Sequence, residues 1–304
     1  MFDQLWHKWL KQPYKLRCID DSGSGKETVV LLHGIGSSAQ VWRHLVPQLA
    51  EHNCRVLSFD LLGFGKSPKP EWPNYSADDH AKAVIASLRA KKIQKPIILV
   101  GHSMGCLVAA HVAKLEPRLV KQLILYEMPL YVGLPDTKRY NKRRDLYFLV
   151  YNHIMESPDL ALTTKQSVRR LIAKFSGFEI SEETWRPFVK SLRNTIISQT
   201  TLNDIKQLTV PIDIIYGSLD MLVIRGTPKK IFGHEATHIQ THTITELHSV
   251  SPKASTFLAK RIIQALSRAP VSTPALGRKS RLRAAKKRTT QSRHSESGDQ
   301  SQLQ

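Results

Sequence analysis

The chain has 304 residues, 41% of them hydrophobic, with a formal net charge of +20, enough for one large α/β domain with an insertion or two smaller domains. Three widely spaced cysteines, Cys18, Cys54 and Cys106, argue against a disulfide framework and for a reducing compartment. No uncharged apolar run approaches the roughly 18 residues of a membrane span and no secretory signal opens the chain, so a cytoplasmic protein is expected.

In chain order, Phe2, Leu5, Trp6, Trp9 and Leu10 fall near helical spacing, which predicts a short helix over 1–12 packed on the domain. An interfacial membrane helix is its sharper alternative. From residue 14 strand-like and helix-like stretches alternate. Residues 28–33 (TVVLLH) are a short apolar, β-branched run, the pattern of a strand buried on both faces. Residues 39–51 carry helical periodicity, and 55–60 (RVLSFD) read as the next strand. A helix over 75–90 opens on Ser76-Ala77-Asp78-Asp79, a good helix start. Residues 96–100 (PIILV) form another buried strand, followed by a small-residue helix over 104–115. Strands follow at 123–126 and 212–216, an edge-like strand with alternating Thr and Ile at 240–247, and a closing helix at 254–266. This alternation predicts a mostly parallel sheet flanked by helices.

Residues 128–208 interrupt it. They are helical in pattern and rich in basic side chains, as an inserted lid between two core strands would be. The expected division is therefore an N-terminal helix (1–12), a core (13–127 and 209–266), a helical lid (128–208) and a tail (267–304). The tail holds RKSRLRAAKKR and few large apolar groups, which predicts disorder and leaves open weak contact with a polyanion or anionic membrane.

Gly101-His102-Ser103-Met104-Gly105 lies between the strand PIILV and the helix MGCLVAAHVAKL. So tight a strand-to-helix turn strains its central residue and projects the Ser103 hydroxyl above the sheet. A serine is a weak nucleophile without a base, and the base needs an orienting acid. Asp220 follows the strand IDIIY and His248 follows QTHTITEL, both just past strand ends, where open α/β sheets keep functional groups. Glu127, after QLILY, is a rival acid, and geometry must choose between the two carboxyls. The backbone N–H groups of Met104 and of Ile35, in the turn HGIGSS, are the expected oxyanion donors.

LLHGIGSSAQVW, SFDLLGFGKS, LVGHSMGC, YGSLD and LHSVSP, in this order, resemble the signature elements of the α/β-hydrolase superfamily, notably its lid-bearing serine hydrolases, over roughly residues 14–266. The resemblance implies the α/β-hydrolase fold, with an eight-stranded type of sheet and a helical cap over Ser103. It implies no cofactor and no metal. It implies attack on an ester, thioester or related carbonyl of a small-molecule acyl substrate through an acyl-enzyme. Carbon–carbon bond hydrolysis and acyl transfer use the same residues and stay open, as does a non-catalytic lidded binding protein. The family's dehalogenases and epoxide hydrolases use an aspartate nucleophile, and Ser103 speaks against both. Two positions depart from the family pattern: Cys106 stands where glycine is usual, and Ser249-Val250-Ser251-Pro252 follows the histidine.

Other signals have plainer readings. Asp60 is expected to accept backbone N–H groups in a tight loop, and Cys106 to be a small buried helix residue. His33 and His102 flank motifs that use the backbone and are read as structural. His234-Glu235-Ala236-Thr237-His238 matches the H-E-x-x-H zinc pattern, but a strand rather than a sustained helix follows it, so it is read as chance. Oligomeric state leaves no trace in the sequence.

Overall fold

The apolar β-branched runs become the strands of one sheet because a strand buried on both faces needs no polar side. A computed structural model describes residues 4–134, 137–156, 181–224, 231–233 and 236–268. Its strands are β1 (Cys18–Ser22), β2 (Glu27–Leu32), β3 (Cys54–Phe59), β4 (Ile97–His102), β5 (Val120–Tyr126), β6 (Ile212–Gly217) and β7 (Ile239–Ile244). They lie in the order β1-β3-β2-β4-β5-β6-β7, with β1 antiparallel to β3 and the other pairs parallel.

Successive strand residues feed opposite cores. Val30, Leu32 and Leu99 face α2 (Ala77–Ala90) and α3 (Met104–Leu115). Val29, Leu31, Ile98 and Val100 face α1 (Val46–Ala50) and the C-terminal helix over Pro252–Leu266. This is the period of two that a pleated strand imposes. The helix α2 starts where expected: Ser76 accepts the Asp79 N–H while the Asp79 carboxylate takes the Ser76 N–H. Such a capping box satisfies donors that the first turn would otherwise leave unpaired.

Three expectations need correction. Among the described residues the sheet has seven strands rather than eight, and β1 has no counterpart in the sequence reading. Its sequence CIDDS is polar because an antiparallel edge strand need not be buried on both faces. The helix expected over 39–51 is instead a 3-10 turn (Ala39–Trp42) followed by the short α1. Pro47 lacks an N–H and crowds the preceding turn, so helical winding restarts there. Finally, Gln4–Trp9 is wound as a π-helix with no buried residue, and Trp9 is 71% exposed. Leu5, Trp6 and Leu10 are exposed as well. The segment contacts the domain through His7, whose ring stacks on Tyr14 at 3.7 Å.

Between β5 and β6 the described residues form α4 (Lys138–Glu156), α5 (Glu182–Ser191), a π-wound turn (Leu192–Ile197) and α6 (Thr201–Lys206). Thr195 ties this insertion to the core by donating to the Tyr75 carbonyl at 2.8 Å, while within it Gln199 donates to the Pro129 carbonyl at 3.0 Å and accepts the Tyr131 N–H at 3.1 Å. The closing helix over Pro252–Leu266 is α7. The tail expected to be disordered lies outside the described residues from 269 onward. Among the described residues, no helix is long and apolar enough to cross a membrane.

Candidate active site

The turn between β4 and α3 holds Ser103 at φ 52° and ψ −123°. An L-residue adopts such a backbone at a cost of about 1–3 kcal/mol, which the surroundings must offset. Ser103 N–H donates to the Tyr126 carbonyl and Cys106 N–H to the Ser103 carbonyl, each at 2.9 Å. The two glycines are required by close packing. A Cβ on Gly101 would lie 2.5 Å from the Gly105 backbone, and one on Gly105 would lie 2.4 Å from the Leu32 carbonyl of β2.

The Ser103 hydroxyl lies 2.9 Å from His248 Nε2, and His248 Nδ1 lies 2.7 Å from Asp220 Oδ2. Asp220 Oδ1 accepts the Leu222 N–H at 2.7 Å. All three side chains are buried. Burial alone pushes the Asp220 carboxyl up. Hydrogen bonds with His248 and Glu127, the His248 charge and the Leu222 N–H outweigh it and hold the group down at about 2. The carboxylate thus stays ionised beside the imidazole at neutral pH.

Glu127, the rival acid, ends β5 at φ 55° and is fully buried. Its Oε1 accepts the Gly217 N–H at 2.6 Å. The structure brings it to the same cluster as Asp220 and His248, with one ligand atom from each within 4.8 Å of the others. Among the described residues this is the one group of His, Cys, Asp and Glu side chains close enough to share an ion.

Met104 is the first residue of α3, a position whose N–H has no acceptor within the helix. Ile35 lines the same cavity as Ser103 and His248. Gly34 brings the two turns together, since a Cβ there would lie 3.0 Å from the Ser103 Cβ. The cavity is apolar, walled by Tyr131, Tyr151, Phe188, Leu192, Ile196 and Leu222. At about 20 Å³ it has room for about one water molecule. These wall residues come from β5's exit, the insertion and the turn after β6. Sequence reading passed over them because aromatic residues in a helical pattern look like any core. Tyr131 is the most engaged: its hydroxyl donates to the Leu222 carbonyl at 2.5 Å and meets the Tyr151 hydroxyl at 2.8 Å.

The remaining candidates are structural. His33 Nε2 accepts the Leu61 N–H at 2.8 Å, so its Nδ1–H donates to the Gly34 carbonyl at 2.7 Å. Burial lowers its pKa to about 4, which keeps it neutral. His102 packs among Trp42, Tyr126 and His248, and burial holds it well below the usual histidine range. Asp60 accepts the Ala39 and Lys66 N–H groups, each at 2.7 Å, and so ties two loops rather than one. Cys106 is buried, directs its thiol to the Gly101 and Tyr126 carbonyls, and is pushed well up by burial. Of the zinc-like motif, His234 and Glu235 lie outside the described residues. His242 sits on β7 and bonds Asp213 at 3.0 Å.

A family model described as the alpha/beta hydrolase fold matches residues 27–234. The chain is 30% identical over 244 residues to a pimeloyl-[acyl-carrier protein] methyl ester esterase of Pseudoalteromonas atlantica, covering 73% of this chain and 86% of that one. It is 38% identical over 110 residues to the probable lysophospholipase BODYGUARD 1 of Arabidopsis thaliana, covering 35% of this chain. That match spans only about a quarter of the plant protein's length. Among solved structures, an epoxide hydrolase of Bacillus megaterium aligns with TM-score 0.64 at 18% identity, over 83% of this chain and 97% of that one. An enol-lactonase of Burkholderia xenovorans aligns with TM-score 0.59 at 17% identity, over 83% and 96%. At these identities the structural likenesses speak for the fold alone.

Proposed function

The chain belongs to the α/β-hydrolase fold family, and on that footing we propose that it is a serine hydrolase acting on the ester, thioester or related carbonyl of an apolar acyl substrate. The observation that carries this reading is the unbroken hydrogen-bonded line from Ser103 Oγ through His248 to Asp220. His248 Nε2 takes the hydroxyl proton as Ser103 attacks the carbonyl carbon. Asp220 keeps the remaining ring proton on Nδ1 and stabilises the imidazolium that forms. The N–H groups of Ile35 and Met104 receive the charge that develops on the carbonyl oxygen. Losing one such donor typically costs ~10²–10³-fold in rate. His248 then hands its proton to the leaving group, and water repeats the sequence to release the acyl group from Ser103.

The pocket bears on the substrate. Its walls are aromatic and aliphatic, while the basic side chains of α4, such as Lys142 and Arg143, are not among them. An uncharged acyl portion fits such walls. The insertion between β5 and β6 supplies Tyr151, Phe188, Leu192 and Ile196 of these walls, and in this reading it serves as a lid over Ser103. The relatives named as an esterase and as lysophospholipases are consistent with an acyl ester.

Fluorophosphonate labelling, with hydrolysis of p-nitrophenyl esters of increasing acyl length, tests the reading. Rapid labelling and turnover of the wild type, both lost in Ser103→Ala, are expected. An unlabelled wild type, or a Ser103→Ala variant as reactive as the wild type, overturns it in favour of a binding role. Labelling without turnover of any ester points to carbon–carbon bond or acyl-transfer substrates.

A further inference from the structure

We propose that Glu127 carries a proton at neutral pH and donates it in a hydrogen bond to Asp220, acting as a positioning residue behind the Ser103–His248–Asp220 line. The proposal rests on the serine-hydrolase reading and deepens it.

Glu127 and Asp220 stand past the ends of neighbouring strands, both buried, with a carboxyl oxygen of one within 4.8 Å of a carboxyl oxygen of the other. Two carboxylates this close in a low-dielectric interior do not both ionise, and one keeps its proton. The surrounding hydrogen bonds decide which. Asp220 is used as an acceptor on both oxygens, by Leu222 N–H on Oδ1 and by His248 on Oδ2. That arrangement suits the anion. Glu127 uses Oε1 to accept the Gly217 N–H. A protonated carboxyl keeps that acceptor and adds one O–H donor, which is what a second carboxylate beside it needs.

Local structure converges on holding this carboxyl in place. Glu127 sits at φ 55°, as Ser103 sits at 52°, and its N–H is fastened to the Ile215 carbonyl at 2.9 Å. A Cβ on Gly217 would lie 2.4 Å from Glu127 Oε1, so only glycine allows the carboxyl onto that N–H. The titratable groups around it are Cys106 of α3, Tyr126 of β5, Tyr216 of β6, Asp220 beyond β6 and His248 beyond β7. The thiol and both phenols are neutral at pH 7.

The consequence falls on His248. A proton shared with Asp220 draws negative charge away from the imidazole side of that carboxylate. The imidazolium that forms as Ser103 attacks is then held less tightly. Removing the donor returns the full charge to the Asp220–His248 pair and is expected to move the labelling profile to higher pH.

The test compares wild type, Glu127→Gln and Glu127→Ala by the rate of Ser103 labelling with a fluorophosphonate from pH 5 to 9, with circular dichroism to verify folding. Gln keeps the shape, a neutral group and an N–H donor. It is expected to label within ~3-fold of wild type, with its pH midpoint unmoved. Ala is expected to move the midpoint upward by about 0.5–1 pH unit. Two results overturn the proposal, and the first does not need the Ala variant to fold. One is a Glu127→Gln variant that labels as slowly as Asp220→Asn, since that would make Glu127 the ionised acid. The other is a Glu127→Ala variant that folds and matches wild type throughout, since that would leave Glu127 a purely structural role. A wild type that does not label at all sinks the hydrolase reading itself, which separates the two failures.

Discussion

Strand β6 carries two buried aspartates paired with histidines, one near its start and one past its end, and only the second has a serine beside it. Asp213 bonds His242 at 3.0 Å, Arg261 at 2.8 Å and Gln122 at 2.7 Å. Its charge is balanced by a guanidinium that never deprotonates, so the cluster ties β6, β7, β5 and α7 together. Asp220 meets an imidazole, a backbone N–H and a second carboxyl. Its charge is therefore available to an imidazolium that forms during reaction. An Asp–His pair by itself is a structural motif. Position at the carboxyl end of the sheet, and a hydroxyl on the other ring nitrogen, turn it into a candidate for chemistry.

The largest effect expected is at the hydroxyl and its base. Ser103→Ala or His248→Ala should lower kcat/KM on a p-nitrophenyl ester by about 10⁴-fold or more while leaving the folded state intact. Next, the two aspartates should part company. Asp220→Asn should lower kcat/KM by about 10³–10⁴-fold. Asp213→Asn should change it less than ~3-fold yet lose about 3–5 kcal/mol in urea unfolding, as breaking a buried ion pair does. Equal activity losses would erase the distinction drawn between them.

Acid stability sharpens the contrast between titrating and silent histidines. Burial lowers His80 to about 3 and His33 to about 4. Folding thus excludes a proton that the unfolded histidine binds below about 6.5. Their stabilising contribution is complete above pH 6.5 and is lost as pH falls toward 4 and then 3. Each histidine should add a slope of about 1.4 kcal/mol per pH unit between roughly pH 6 and 4. His80→Gln should flatten the curve accordingly in urea melts at stepped pH. Asp220, held at about 2, adds a separate loss only below about pH 4. The smallest effect is expected at Cys106: Cys106→Ala should keep kcat/KM within ~3-fold, and a collapse in labelling would make the thiol part of the chemistry.

The core was legible where burial is two-sided, since β2, β4 and β6 are runs of Val, Ile and Leu that no exposed strand would carry. β1 was not, because an edge strand can be CIDDS and look like a loop. Ser103, Asp220 and His248 stood out by following strand-like stretches in the family's order. Asp60 was read as a single-loop acceptor, yet it also takes the N–H of Ala39, twenty-one positions away, a pairing no local pattern encodes. The wall residues Tyr131 and Tyr151 carry no motif and become a site only when the insertion folds over the sheet.

By itself the sequence determined which residues stand past strand ends: Ser103, Glu127 and Asp220 after apolar runs, and His248 after an alternating one. It left two carboxyls competing for one imidazole. The tertiary structure decided how they share it, because β4, β5, β6 and β7 lie side by side. Hydrogen-bonded strands run about 4.8 Å apart, so four ends distant in the chain become consecutive neighbours. Register then aligns His102 with Tyr126, Tyr126 with Ile215 and Gly217 with Ile244. In that alignment His248 reaches Asp220, and Glu127 falls behind it on the Gly217 N–H.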